Sequence, residues 1–275
     1  MRLATLRTES GTRAVKVVDE ALVDLGAPDV GSFLQDEDWR SRAEGAEGVM
    51  YARRGATFAA PVARPGKVLC VGLNYSRHIT EMGHPLPTHP TLFAKFAESI
   101  IGPTDHIMLP PESAAMDWEA ELAVVIGKSV RRADATQAAD AIAGFSILND
   151  ITARDWQYRT EQWLQGKTFE STTPVGPVLV TPDELPGGVQ PSLQVTATVG
   201  GELVQDASTA DLVFPPVELV RYASTILTLQ PGDLISTGTP AGVGHGRRPP
   251  KYLSDGDVVI TEISHIGRLI NKCVT

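Results

Sequence analysis

Glu119, Glu121 and Asp150 are the side chains of this sequence best placed to do chemistry together. In Asp117-Trp118-Glu119-Ala120-Glu121-Leu122 acidic residues alternate with apolar ones, and Ala123-Val124-Val125-Ile126-Gly127 follows as an apolar β-branched run. That pattern predicts a strand entering a core. Two steps along a strand return to the same face, which sets the Cα atoms of Glu119 and Glu121 about 6.6 Å apart. Two carboxylates so placed repel each other unless a cation lies between them. An oxygen-only donor set favours a hard ion, Mg²⁺ or Mn²⁺, over Zn²⁺. The competing reading of a Glu-x-Glu pair is a solvated strand face.

The elements around the pair decide whether a third ligand can join it. Asp134-Ala135-Thr136-Gln137 has the form of a capping box, and the alanine-rich segment to Ala143 reads as a helix with Gly144 at its C′ position. Phe145 to Asn149 then reads as a strand with Asp150 at its carboxyl end, where open sheets carry chemistry. Upstream, Lys67 to Val71 predicts a buried strand, and Ser76 to Met82 a helical turn on which His78 and Glu81, three apart, share a face. A histidine held by a carboxylate makes a general base near neutral pH, although an ordinary surface contact has the same spacing. The Gly-, Pro- and His-rich segment to His89 suits a loop or lid, and Pro90 to Lys95 a strand. Lys95 is either solvated or an anion contact. Arg154 and Gln157 follow Asp150 by a turn; Arg154 either grips a substrate carboxylate or pairs with Asp155 at the surface. Residues 162–167 carry Lys167 back towards the same region.

Composition narrows the classes. The chain has 275 residues, 42% of them hydrophobic, enough for one large domain and a small appendage. A net charge of −9 argues against nucleic acid or an anionic membrane as partner. Cys70 and Cys273 form neither a disulfide framework nor a metal spacing. With no apolar h-region at the amino terminus and no membrane-length apolar run, the expected location is the cytoplasm. Residues 1–60 read as a small β-rich domain without chemistry, bounded by Pro61, Pro65 and Gly66; residues 67–275 carry every motif. Pro174, Gly176 and Pro177 read as a rigid turn, Leu193 to Val204 as a hairpin around Gly200-Gly201, Glu218 to Leu229 as a helix, and Gly256 to Ile260 and Ile263 to Ile270 as closing strands. The loop Gly238-Thr239-Pro240-Ala241-Gly242-Val243-Gly244 allows close backbone approach to a ligand. No helix follows it, and Leu122 stands where a P-loop before Gly127-Lys128-Ser129 needs glycine, so nucleotide binding is disfavoured.

Six blocks occur in a fixed order: Gly72-x-Asn74-Tyr75-x-x-His78-x-x-Glu81, Pro90-x-Leu92-Phe93-x-Lys95, Asp117-x-Glu119-x-Glu121-Leu122, Asn149-Asp150-x-x-x-Arg154-Asp155-x-Gln157, Gly166-Lys167-x-Phe169 and Gly238-Thr239-Pro240-x-Gly242-Val243-Gly244. Together they resemble the fumarylacetoacetate hydrolase family over residues 67–275. The resemblance implies an α+β, mainly β fold whose mixed sheets roll into a sandwich-like catalytic domain, as a homodimer. It implies Glu119, Glu121 and Asp150 as ligands of one divalent cation per chain, and His78 with Glu81 as the water-activating dyad. Lys167 would be a cation facing the reacting group, and Lys95, Arg154, Gln157 and Thr239 would contact a small oxo-acid substrate. No acid lies between Gly66 and His78, which fits the shorter, three-carboxylate branch; Glu170 and Leu73 replace residues common in relatives. The implied activity is metal-dependent hydrolysis of a C–C bond in an acylpyruvate. Oxaloacetate decarboxylation and hydroxymuconate-type isomerisation pass through the same enolate and remain open, as does a non-catalytic binding protein.

Overall fold

The computed structural model describes residues 1–81 and 85–275, without the side chains of His78 and Glu81. The middle of the expected lid, including His84, lies outside the described residues. Among the described residues strands dominate, in two large sheets and one two-stranded ladder. The larger sheet runs from Met50–Ala52 through Ala21–Asp24, Gly11–Val18 and Arg2–Thr8 to Thr173–Val180, then to Ile142–Asn149, Ala120–Ile126, Leu234–Ser236, Val68–Gly72 and Thr91–Lys95. The amino-terminal strands therefore continue the sheet that carries the motifs, joined where Arg2 and Leu3 pair with Val180 and Leu179. The smaller sheet orders Glu202–Ser208, Gln194–Val199, Val258–Ile263, Gly267–Val274 and Ile107–Met108.

The two sheets enclose the main core, and alternation along one strand explains how. Leu122, Val124 and Ile126 join the cluster that includes Val195, Val199, Ile263 and Leu269 of the smaller sheet. Ala123 and Val125 join the opposite cluster with Phe33, Trp39, Cys70 and Leu234. Both faces are covered, so the run is apolar throughout rather than alternating. Glu121 falls on the second face by the same period, beside Ser236.

Several local expectations shift. The capping box is formed, with Asp134 accepting from the Gln137 amide and Gln137 returning to Asp134. The helix, however, is Ala135–Ala141, and Gly144 lies inside the strand Ile142–Asn149. Its function is close approach: a Cβ there would lie 2.3 Å from the Val180 carbonyl oxygen. Pro174, Gly176 and Pro177 likewise sit within the strand Thr173–Val180: the register shift between Phe145 and Ile147 lets that ladder skip Pro177, and Pro174 stands opposite Ile101 of a parallel neighbour. The polar stretch after Asp36 contains the helix Trp39–Glu44, which buries Trp39 and Ala43. At the carboxyl end the expected strand from Ile263 is a hairpin turn around His265, whose φ of 66° suits a tight turn, and pairing resumes at Gly267.

Candidate active site

Glu119, Glu121 and Asp150 converge: one carboxylate oxygen from each lies within 4.8 Å of the others, and all three residues are buried. Strand pairing brings them together. Ala120–Ile126 runs antiparallel to Ile142–Asn149 with Ala120 opposite Asn149, so one strand begins where the other ends. The strand does not start at Asp117 as the alternation predicts. Met116–Asp117 pairs with Thr152–Ala153, and residues 118–119 bridge the two ladders. In that gap the Glu119 amide donates to Asn149 Oδ1 at 2.9 Å, and the Asp150 amide donates to the Glu119 carbonyl at 2.8 Å. The irregular link is thereby held as firmly as a ladder.

Each carboxylate has a distinct environment. Glu121 accepts from the Ser236 hydroxyl at 2.5 Å and the Gly238 amide at 2.8 Å. Burial, with Asp150 and Glu119 close by, pushes its carboxyl well above the usual range. Burial would also raise Asp150, but Lys167 and Lys95 overcome it and hold this carboxyl down to about 2. Lys167, the last residue of the short helix Leu164–Lys167, donates to Glu119 Oε2 at 2.5 Å and Asp150 Oδ2 at 2.8 Å. Its ammonium also lies 4.8 Å from the Phe93 ring centre. Burial works against the Lys167 charge, yet Asp150 and Glu119 raise its pKa above the ordinary lysine value. Lys95 donates to Asp150 Oδ1 at 2.7 Å and to the Ile151 carbonyl at 3.0 Å. Its side chain is fully buried, so among the described residues Lys95 braces Asp150.

Arg154 and Gln157 open and close a short helix, with Nη1 donating to Gln157 Oε1 at 2.9 Å. The alternative pairing with Asp155 is not made: Arg154 Nε donates to buried Asp117 at 2.8 Å, and Asp155 accepts from Ser113. Arg154 Nη2 lies 2.7 Å from Glu119 Oε1, near enough for charge attraction. The pair lies off the hydrogen-bond line, and Nη2 has no hydrogen-bond partner among the described residues. Thr239 donates to the Ala120 carbonyl at 3.1 Å and accepts from Gln205 at 2.8 Å, which ties the glycine-rich loop to the strand start. The backbone of His78 and Glu81 lies in the helix Ser76–Glu81, which follows the strand Val68–Gly72. The expected dyad's side chains lie outside the described residues.

Several contributors have weaker sequence signals. Asn149 stands beside Asp150 in the chain, and Ser236 ends the short strand Leu234–Ser236. Gln205, which accepts from the Ala120 amide at 3.0 Å, has no signal at all. Asn74 is buried and bridges Thr237 and Phe214, fixing the turn after its strand to the far side of the site.

The cluster contains four buried acids, Asp117, Glu119, Glu121 and Asp150, and three buried bases, Lys95, Arg154 and Lys167. Oxygen donors that outnumber the buried cations fit a hard divalent ion, which would relieve the repulsion at Glu121. The arrangement can hold such an ion beside a cationic wall suited to an anionic ligand.

Residues 67–274 match the family model for the fumarylacetoacetate (FAA) hydrolase C-terminal domain. The chain belongs to this family. Within it, bovine (Bos taurus) mitochondrial oxaloacetate tautomerase FAHD2B is 49% identical over 225 residues, 81% of this chain and 71% of the relative. A putative HpcE protein from Mycobacterium smegmatis has a comparable fold, with a TM-score of 0.90 and 37% identity over 100% of this chain and 99% of that one. Maleylpyruvate hydrolase from Sphingobium sp. SYK-6, solved with manganese(II) and pyruvate, gives a TM-score of 0.80 at 27% identity, covering 100% and 99%. The mainly β family fold is therefore as expected. Among the described residues no helix is long and apolar enough to cross a membrane. The bovine relative is named as mitochondrial, which the cytoplasmic expectation does not match.

Proposed function

We propose that the chain is a divalent-metal-dependent enzyme that interconverts the keto and enol forms of a small 2-oxo acid, with oxaloacetate as the first candidate. The observation that carries this reading is the buried carboxylate triad lined by Lys167 and Arg154. The identity to an oxaloacetate tautomerase supports the substrate. Glu119, Glu121 and Asp150 would hold Mg²⁺ or Mn²⁺, and the ion when bound would polarise the 1-carboxylate and 2-oxo oxygens. Arg154 would grip a substrate carboxylate through Nη2, which in this structure faces Glu119, with Gln157 fixing Nη1. Lys167 presents a fixed positive charge where negative charge grows on oxygen as a C3 proton leaves. His78, with Glu81 as its proposed partner, is the proposed proton carrier, taking the C3 proton while the enolate oxygen gains one.

C–C hydrolysis of an acylpyruvate is the second reading, favoured by the maleylpyruvate hydrolase likeness. There His78 takes a proton from water, the water attacks the C4 carbonyl, and the C3–C4 bond breaks to leave an acid and the pyruvate enolate. The homodimer and a reducing compartment, either cytoplasmic or mitochondrial, belong to the same proposal; two buried free thiols support the compartment.

Chelator-treated protein given Mg²⁺ or Mn²⁺ is assayed in parallel with oxaloacetate and acetylpyruvate. Metal-restored enol–keto exchange of oxaloacetate without loss of carbon supports the tautomerase. Acetate and pyruvate from acetylpyruvate support the hydrolase, and pyruvate with CO₂ from oxaloacetate a decarboxylase. If wild type and His78→Ala handle both substrates alike, the histidine's role is refuted.

A further inference from the structure

Asp117 is fully buried, and both of its carboxylate oxygens are saturated from two directions. Oδ1 accepts from the Trp118 amide at 2.8 Å and the Gly244 amide at 2.7 Å. Oδ2 accepts from the His245 amide at 3.0 Å and from Arg154 Nε at 2.8 Å. One side chain thus joins the carboxyl end of the glycine-rich loop to the inner edge of the Arg154 guanidinium. Gly244 permits the approach, since a Cβ there would lie 1.9 Å from the Lys251 carbonyl oxygen and 2.8 Å from Asp117 Oδ1. With Nε on Asp117 and Nη1 on Gln157, two edges of the guanidinium plane are fixed, and the plane can present Nη2 in one orientation only.

We propose that Asp117 is a positioning residue that locks Arg154 in its anion-binding orientation and couples that orientation to the order of residues 238–246. The substrate arm of this inference rests on the function proposed above; the loop arm does not. Four donors converge on two carboxylate oxygens. An asparagine offers one oxygen and one NH₂, and either flip turns that NH₂ towards two donors. Asp117→Asn, close in volume, therefore breaks the clamp while leaving Glu119, Glu121 and Asp150 in place.

Three measurements test this. Hydrogen exchange of the Gly244 and His245 amides, read without substrate or metal, should quicken by at least about tenfold in Asp117→Asn, the size of a missing charge-assisted bond. KM for oxaloacetate should rise about 10- to 100-fold with kcat changed by less than about threefold, because an oriented Arg154 binds substrate and transition state alike. Mn²⁺ affinity by calorimetry should fall by far less than KM rises, because no proposed ligand is removed. Combined with Arg154→Lys, the two changes should cost about as much as either alone, because both break one unit. Multiplicative effects, or a fall in kcat and Mn²⁺ affinity at constant KM, overturn the proposal. Should Asp117→Asn fail to fold, Arg154→Lys carries the test from the other end. It keeps the charge but surrenders the Nε hydrogen bond, and unchanged exchange at Gly244 and His245 refutes the coupling. If wild type has no oxaloacetate turnover, the substrate assignment fails while the exchange arm still decides the clamp.

Discussion

Lys167→Met replaces a buried ammonium by an apolar chain of similar length and leaves two buried carboxylate oxygens facing it. Glu119 Oε2 at 2.5 Å and Asp150 Oδ2 at 2.8 Å each lose their donor. Removing one partner of a buried ion pair costs about 3–5 kcal/mol. Here neither acid is wholly stripped: Arg154 stays 2.7 Å from Glu119 Oε1 and Lys95 2.7 Å from Asp150 Oδ1. The loss therefore belongs at the low end, about 3 kcal/mol, which at ~2–4 °C per kcal/mol for a chain of this size lowers the melting temperature by about 6–12 °C. That figure applies to metal-free protein. A divalent ion at about one hundred times its Kd stabilises the folded state by about 2.7 kcal/mol and should restore nearly all of it. With one positive charge fewer at the site, the ion should also bind the variant more tightly than wild type. Turnover should still fall about 10²- to 10³-fold if, as proposed, that charge faces the reacting oxygen. Thermal melts of both proteins in EDTA and across an Mn²⁺ titration, with turnover in parallel, provide the readout. A metal-free variant melting within about 2 °C of wild type, or a smaller Mn²⁺-induced gain than in wild type, refutes the charge accounting.

Other outcomes follow from single features. Glu119→Gln removes one charged ligand and should weaken Mn²⁺ binding by at least about tenfold in titration calorimetry; wild-type affinity would count against the triad. Gly242→Ala forces a side chain at φ 103° to within 1.9 Å of the Val204 carbonyl oxygen, so the melting temperature should drop by several degrees and turnover should fall with the loop's geometry. Burial pushes the Cys273 thiol up to about 12 and raises Cys70 well above its ordinary value. Both stay protonated at neutral pH in the folded chain, so neither should react with an aromatic disulfide reagent at pH 8 until denaturant is added; rapid labelling of either in native protein refutes the burial.

The triad is legible in the sequence because strand periodicity and strand order are local properties. Alternation puts Glu119 and Glu121 on one face, and the helix between the two strands puts Asp150 at the matching end. What alternation does not reveal is the break at residues 118–119, since the Asn149 side chain that replaces the ladder there belongs to another strand. Lys95 reads as solvated or anion-binding from its own strand. Only the fold places it against Asp150. Asp117 is visible as part of a motif, but its partners are 37 and 127 residues away, and no local pattern encodes bonds of that span. Gly144 and Pro177 mislead for a related reason, because a residue type that marks a turn in isolation also serves where two backbones must come close.

The two lysines and the ion site are linked by electrostatics. Three carboxylates gathered without cations would cost far more than the surrounding sheets could offset, and three fully neutralised ones would have little attraction for a metal. Lys167 and Lys95 both address Asp150, Lys167 and Arg154 both address Glu119, and Glu121 has no cationic partner among the described residues, only Ser236 and the Gly238 amide. Glu121 is thus the acid least compensated by a cation, on the side where the glycine-rich loop begins. The Gly238 amide at one end of that loop holds Glu121, and Asp117 holds the other end to Arg154. On the proposed function, metal retention and substrate orientation fall at opposite ends of one loop. That separation predicts that changes at Ser236 act on ion affinity and changes at Asp117 on KM, and a Ser236→Ala variant that shifts KM without shifting Mn²⁺ affinity would refute it.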